Sequence, residues 1–111
     1  MLVLTLLLAC DPKAQDSDSA DTCASEPYDL TWANWGDGFF ANYCRACHSS
    51  NAPDRFDAPE AVNFDTKDEV LQWKDAIRQA VLVDGTMPVG GGVYEGDLEF
   101  LDIFLTCGVN D

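Results

Sequence analysis

Apolar residues recur at helical spacing along much of this chain, and nowhere do they alternate in the way a half-buried strand requires. Val70, Trp73, Ile77, Ala80 and Val81 share one face of a helix that opens on Thr66-Lys67-Asp68-Glu69. That tetrad is a capping-box pattern, in which a threonine and the acid three residues on satisfy each other's free backbone donors. Gly85 ends this helix. A last helix is predicted from about Asp97 to Thr106, with Leu98, Leu101 and Leu105 on one face, Phe104 broadening it, and Gly108 where a C-terminal stop belongs. A first helix, capped by Asn34, runs through Phe39, Phe40 and Tyr43 into Cys44. Two loops separate the three helices. Residues 49–64 carry Pro53 and Pro59 and no helical period, and Thr86-Met87-Pro88 leads into Gly90-Gly91-Gly92. The pattern predicts an all-α fold with three main helices.

The start of the chain reads differently. Residues 11–31 are poor in large apolar groups and rich in Asp, Ser and Ala, too polar to bury a core, and are expected to form an acidic flexible tether. A coil of roughly twenty residues reaches on the order of 25 Å. Leu2 to Leu8 is apolar but far too short to span a bilayer, and it fits the core of a secretory signal. The box Leu7-Leu8-Ala9-Cys10 resembles a bacterial lipoprotein cleavage site, which implies lipidation of Cys10 and removal of residues 1–9. The basic region that normally precedes such a core is missing, which fits a truncated start. Asp11 resembles an inner-membrane retention signal of some Gram-negative lipoproteins. The expected division is therefore a signal over 1–9, a tether over 10–31 and a folded domain over 32–111. The expected location is the bacterial periplasm, on a membrane anchor at Cys10, with a secreted soluble form as the alternative. The charge adds a constraint on partners. Twenty acids stand against six bases, for a net charge of −14. Phosphate binding needs clustered Lys and Arg, so nucleic acid is excluded as a partner and a partner with a basic docking face is favoured.

Five cysteines in 111 residues point to covalent chemistry. Cys44-Arg45-Ala46-Cys47-His48 is the spacing of a c-type haem attachment site, in which both thiols form thioethers and the adjacent His lies under the iron. The same five residues also suit half of a zinc site or a redox dithiol. Zinc needs four N or S donors, and His48 is the only His. A thioredoxin-like dithiol needs a strand before the motif, and none is predicted. With Cys10 assigned to lipid and Cys44 and Cys47 to haem, Cys23 and Cys107 remain, and a disulfide between them is expected. Met87 is the only methionine left once the signal is cut, and it sits in a Gly-Thr-Met-Pro turn from which a thioether can reach iron. Lys13, Lys67, Lys74 or an open sixth position are the alternatives to it.

Gly36, Phe40, Cys44, Cys47 and His48, with Phe104 and Leu105 preceded by Leu101 in the last helix and the pair Met87-Pro88, resemble the class I cytochromes c. The likeness covers roughly residues 32–111, and the terminal Cys107-Gly108 pair looks like that of small bacterial lipoprotein cytochromes. The resemblance implies a compact fold of three main helices around one covalent haem c, His48 and Met87 as iron ligands, and a last helix crossing the first closely at Gly36. It implies a proline whose carbonyl orients the proximal His, either Pro53 or, preferably, Pro59. The stretch between His48 and Met87 is short for the class, so loops there must be trimmed. Phe40, Pro59, Trp73 and Arg78 are candidates to line the haem pocket, and Arg55 is an alternative to Arg78 for pairing with a propionate. The expected function is electron transfer rather than catalysis, since no paired acid and base or activated nucleophile is visible. A haem enzyme or gas sensor with an open sixth site is one alternative, and a structural or binding lipoprotein without haem is another.

Overall fold

Three composite helical runs follow one another in the predicted order. The computed structural model describes residues 23–109. The expected signal over 1–9, the lipidation site Cys10, Lys13 and the first part of the tether lie outside the described residues. No strand is present among the described residues, so an all-α architecture holds.

Helix α1 is a π-helical turn, Trp32–Gly36, continued by the α-helix Asp37–Tyr43. Its cap is Thr31, not Asn34. The Thr31 hydroxyl accepts the Asn34 N–H at 3.2 Å, and Asn34 Oδ1 accepts the Thr31 N–H at 2.8 Å. The two thus form a reciprocal box, with asparagine in the place usually taken by Glu or Gln. Helix α2 comprises Lys67–Gln72, Lys74–Ile77 and a π-helical end, Arg78–Val83, and is interrupted at Trp73, where φ is −103° and ψ 13°. Thr66 caps it as expected, accepting the Glu69 N–H at 3.2 Å. Gly85 follows with φ +66°, a conformation that suits glycine, and the N–H groups of Thr86 and Met87 turn back to the Ala80 carbonyl at 2.9 and 3.2 Å. Helix α3 starts at Glu95, two residues ahead of the expected start, and runs through Ile103 into a last π-helical turn, Phe104–Gly108.

The core forms where α1 crosses α3. Phe40, Val70, Leu101 and Phe104 are fully buried, and Leu105 is nearly so. Each such side chain contributes about 1.5–3 kcal/mol relative to exposure. A Cβ at Gly36 would lie 2.7 Å from Cζ of Phe104, so the absence of a side chain at Gly36 is what admits the Phe104 ring. Tyr43 at the end of α1 donates its hydroxyl to Asp97 of α3 at 2.8 Å, and that bond raises the Tyr43 pKa above its ordinary value.

Gly108 has a different role from the expected stop. Its φ is not in the left-handed region. A Cβ there would fall on the Leu30 carbonyl oxygen and 2.9 Å from Cδ1 of Phe104. Gly108 therefore lets the segment before α1 pass against the end of α3. The same segment is cross-linked: Cys23 and Cys107 form a disulfide, with Cα atoms 5.4 Å apart and a sequence separation of 84. Tyr28 packs its ring 4.9 Å from that of Phe100, and Leu30 leans on the core. The described residues 23–31, inside the stretch expected to be tether, are thus packed against the domain. One cross-link and two apolar side chains hold a segment whose average composition is that of a flexible coil.

Candidate functional site

Cys44 closes α1. Its N–H and that of Arg45 both reach the Phe40 carbonyl, at 3.0 and 2.9 Å. The chain then makes one further turn, with the N–H groups of Cys47 and His48 donating to the Cys44 carbonyl at 3.2 and 2.9 Å. The two thiols and the imidazole of the motif are thereby set on a single turn at the end of a helix fixed in the core by Phe39 and Phe40.

A strap of four residues, 62–65, lies across this turn and is bonded to it and to the two serines after it through Val62, Phe64 and Asp65. The Phe64 N–H donates to the His48 carbonyl at 2.9 Å, and the Phe64 carbonyl accepts Arg45 Nε at 2.8 Å. Arg45 also pairs with Asp37 of α1 and lies 5.4 Å over the Trp32 ring. The Asp65 carboxylate accepts the Ser49 hydroxyl at 2.6 Å and the Ser50 N–H at 2.9 Å. Those bonds, the Ser49 hydroxyl first, hold Asp65 below the usual carboxylate pKa. The Phe64 ring is buried with its centroid 5.0 Å from that of His48.

His48 Nδ1 lies 2.9 Å from the Val62 carbonyl oxygen. A carbonyl can only accept, so Nδ1 carries the proton of this contact, and a neutral imidazole so held has its lone pair on Nε2. The carbonyl that orients His48 is therefore that of Val62, not of Pro59 or Pro53. The Pro59 carbonyl is occupied by the Val62 N–H at 3.0 Å and by Arg55 Nη2 at 2.7 Å. Every residue has a carbonyl, so the side-chain sequence carries no signal for which one faces the imidazole.

Arg55, the alternative propionate partner, turns inward. It donates to the carbonyls of Ser49, Pro59 and Val62 at 2.6, 2.7 and 3.1 Å, and the loop over 49–62 is wound around its guanidinium. Arg78 is directed to α3, where it pairs with Asp102 at 2.5 Å and donates to the Thr106 hydroxyl at 2.8 Å. Trp73 is half-buried against the core, and Phe40 is wholly inside it, with ring centroids 5.7 Å from Phe64 and 6.1 Å from Trp32.

The cysteine pair differs from a redox dithiol in one respect. Burial pushes the Cys44 thiol up to about 12, whereas the attacking cysteine of a redox Cys-x-x-Cys pair is depressed. Among the described residues no three His, Cys, Asp or Glu side chains converge as a metal-ion site. Met87 follows α2 on a cis Met87–Pro88 peptide, with its N–H tied to Ala80 and the residue 39% exposed. Two surface depressions, of about 410 and 470 Å³, lie by the disulfide and between α2 and α3, and neither is lined by the motif or Met87. Among the described residues no helix is long and apolar enough to cross a membrane.

No family model matches the chain, and no curated protein or solved structure matches it.

Proposed function

We propose that this chain is a small class I c-type cytochrome, a one-haem electron carrier that works outside the cytoplasm. The observation that carries this reading is the state of His48. It follows two thiols on one turn, its Nδ1 is engaged by a backbone carbonyl, and its Nε2 lone pair is left for a metal. The donor set fits a haem better than it fits zinc, because one imidazole and two thioether-forming cysteines suffice for a proximal attachment. The fit of Gly36 against Phe104 is also what the resemblance to class I cytochromes c leads one to expect.

In this reading Cys44 and Cys47 hold the haem through thioethers, and His48 Nε2 is the proximal ligand. Met87, on a loop free of helix geometry, offers its sulfur as the second ligand. The haem supplies a one-electron Fe(III)/Fe(II) couple, at a potential that a thioether ligand raises. The chain's own part is to orient the imidazole through Val62, to exclude water with Phe64 and Phe40, and to present an acidic surface to a basic redox partner. Cys10 would carry the lipid anchor in the bacterial periplasm, with the domain over 32–111 held off the membrane. The Cys23–Cys107 disulfide is of the kind that persists in such an oxidising compartment.

The test is denaturing gel electrophoresis of the protein made in a host that matures c-type cytochromes. Haem should remain with the polypeptide in wild type and be lost in the Cys44→Ala, Cys47→Ala double variant. Wild-type chain that carries no haem through the gel would reject the reading.

A further inference from the structure

The Val62 carbonyl has two donors. It accepts from His48 Nδ1 at 2.9 Å and from Arg55 Nη2 at 3.1 Å. The same guanidinium donates through Nη1 to the carbonyl of Ser49, the residue directly after His48, at 2.6 Å, and through Nη2 to Pro59 at 2.7 Å. Arg55 thus brackets the histidine from both sides of the loop. A guanidinium is a rigid, charged fork, and this one is held by four carbonyls, the fourth being that of Ala58, which accepts from Nε at 3.4 Å.

We propose that Arg55 is a positioning residue that sets the electron-donating strength of His48 through the shared Val62 carbonyl; this rests on the haem reading above. A carbonyl oxygen already bonded to a cation has less electron density for a second donor. The Nδ1–H bond is therefore weaker than it would be to an unshared carbonyl. The imidazole then has less imidazolate character, and Nε2 is a poorer donor to a bound metal. A poorer donor, and a positive charge held close by, both favour the reduced state of a metal on Nε2. The two effects have the same sign: Arg55 raises the potential.

The variants are Arg55→Gln, which keeps donors and loses the charge, and Arg55→Lys, which keeps the charge. The first readout is the His48 Nδ1–H proton resonance, measured on the reduced, diamagnetic protein. It should move downfield in Arg55→Gln as the bond to Val62 strengthens, and return most of the way in Arg55→Lys. The second is the potential. At fixed ambient potential, the Fe(III)/Fe(II) ratio should rise about threefold to tenfold in Arg55→Gln, a tenfold change being 59 mV for one electron. An unmoved Nδ1–H resonance in a variant with wild-type circular dichroism overturns the proposal, as does a potential that rises. If the Gln variant does not fold, wild type decides: the Arg55 N–H protons should be resolved, slow to exchange and close to His48 in NOE spectra. An averaged, fast-exchanging guanidinium overturns the proposal. A chain that purifies without haem rejects the cytochrome reading instead, and the Nδ1–H measurement on that chain tests the Arg55–Val62–His48 link by itself.

Discussion

The turn that carries His48 and the loop that carries Met87 are built in opposite ways. The first is held from every side. Strap residues 62–65 bond to it through Phe64, Val62 and Asp65, Arg45 ties it back to Asp37, and the helix before it is locked by the Gly36–Phe104 contact. The second has little of this. Residues 85–92 include four glycines with positive φ, and Val83, Val89 and Tyr94 around them are 65, 83 and 77% exposed. The turn onto Ala80 and a bond from the Gly91 N–H to the Pro88 carbonyl tie its backbone. In a carrier of the kind proposed, the proximal ligand is preorganised by the chain, and the distal ligand depends on what it binds. Stability should therefore be concentrated on the His48 side, and changes at Met87 should be felt in ligation rather than in folding.

The largest effect that would sharpen this contrast is at the disulfide. Replacing Cys23 and Cys107 by Ser opens a loop of 84 residues, for which chain entropy alone suggests a loss of about 4 kcal/mol. Urea unfolding should show it as a lower midpoint with haem still attached. A loss under about 1 kcal/mol would mean that the segment before α1 is held by its side chains instead.

Next comes Gly108→Ala. The added methyl would meet the Leu30 carbonyl and the Phe104 ring, and the backbone must move apart at the α1–α3 crossing. The expected destabilisation is about 2–3 kcal/mol, the range of overpacked cores. Gly96→Ala, where an added Cβ meets nothing within 4 Å, is the control and should be neutral or slightly stabilising. Equal effects at the two glycines, read from thermal midpoints, would contradict the close approach.

A smaller effect is expected at Asp65, and it carries a pH signature. Its pKa is lowered in the folded chain, so its contribution is fully present above the unfolded value near 3.8 and is lost as pH falls through the lower folded value. Asp65→Asn should cost about 1 kcal/mol at neutral pH, a charge-assisted bond discounted for solvent screening. The gap to wild type should shrink only below about pH 4 and then vanish. A gap that persists at pH 2 would assign the effect to packing.

The smallest effect on folding belongs to Met87→Ala. With the residue 39% exposed, removal of its side chain should change stability by less than about 0.5 kcal/mol in the chain without haem. In the holoprotein the same variant should abolish the weak near-infrared sulfur-to-iron band of the ferric state and lower the potential. An unchanged band would remove Met87 from the iron and favour an open sixth site or one of the lysines.

The sequence by itself determined the helices and the motif. Val70, Ile77, Leu101 and Leu105 repeat at 3.6-residue spacing because a helix must put its apolar side inward, and Thr66 with Glu69 marks a start by satisfying free N–H groups. The expectation of a Cys23–Cys107 pair came from counting, and the order of the three helices from their loops. Only the tertiary structure decided the rest. Thr31 replaced Asn34 as a cap because an asparagine can serve either end of the reciprocal box. Gly108 proved to be a close-approach glycine because the Leu30 carbonyl it faces is remote in sequence. The Phe64 carbonyl on Arg45, the Val62 carbonyl on His48 and the inward turn of Arg55 are interactions of backbone oxygens. Side-chain sequence encodes periodicity and residue chemistry, but a backbone carbonyl is the same at every position, and only the path of the folded chain selects which one a histidine meets.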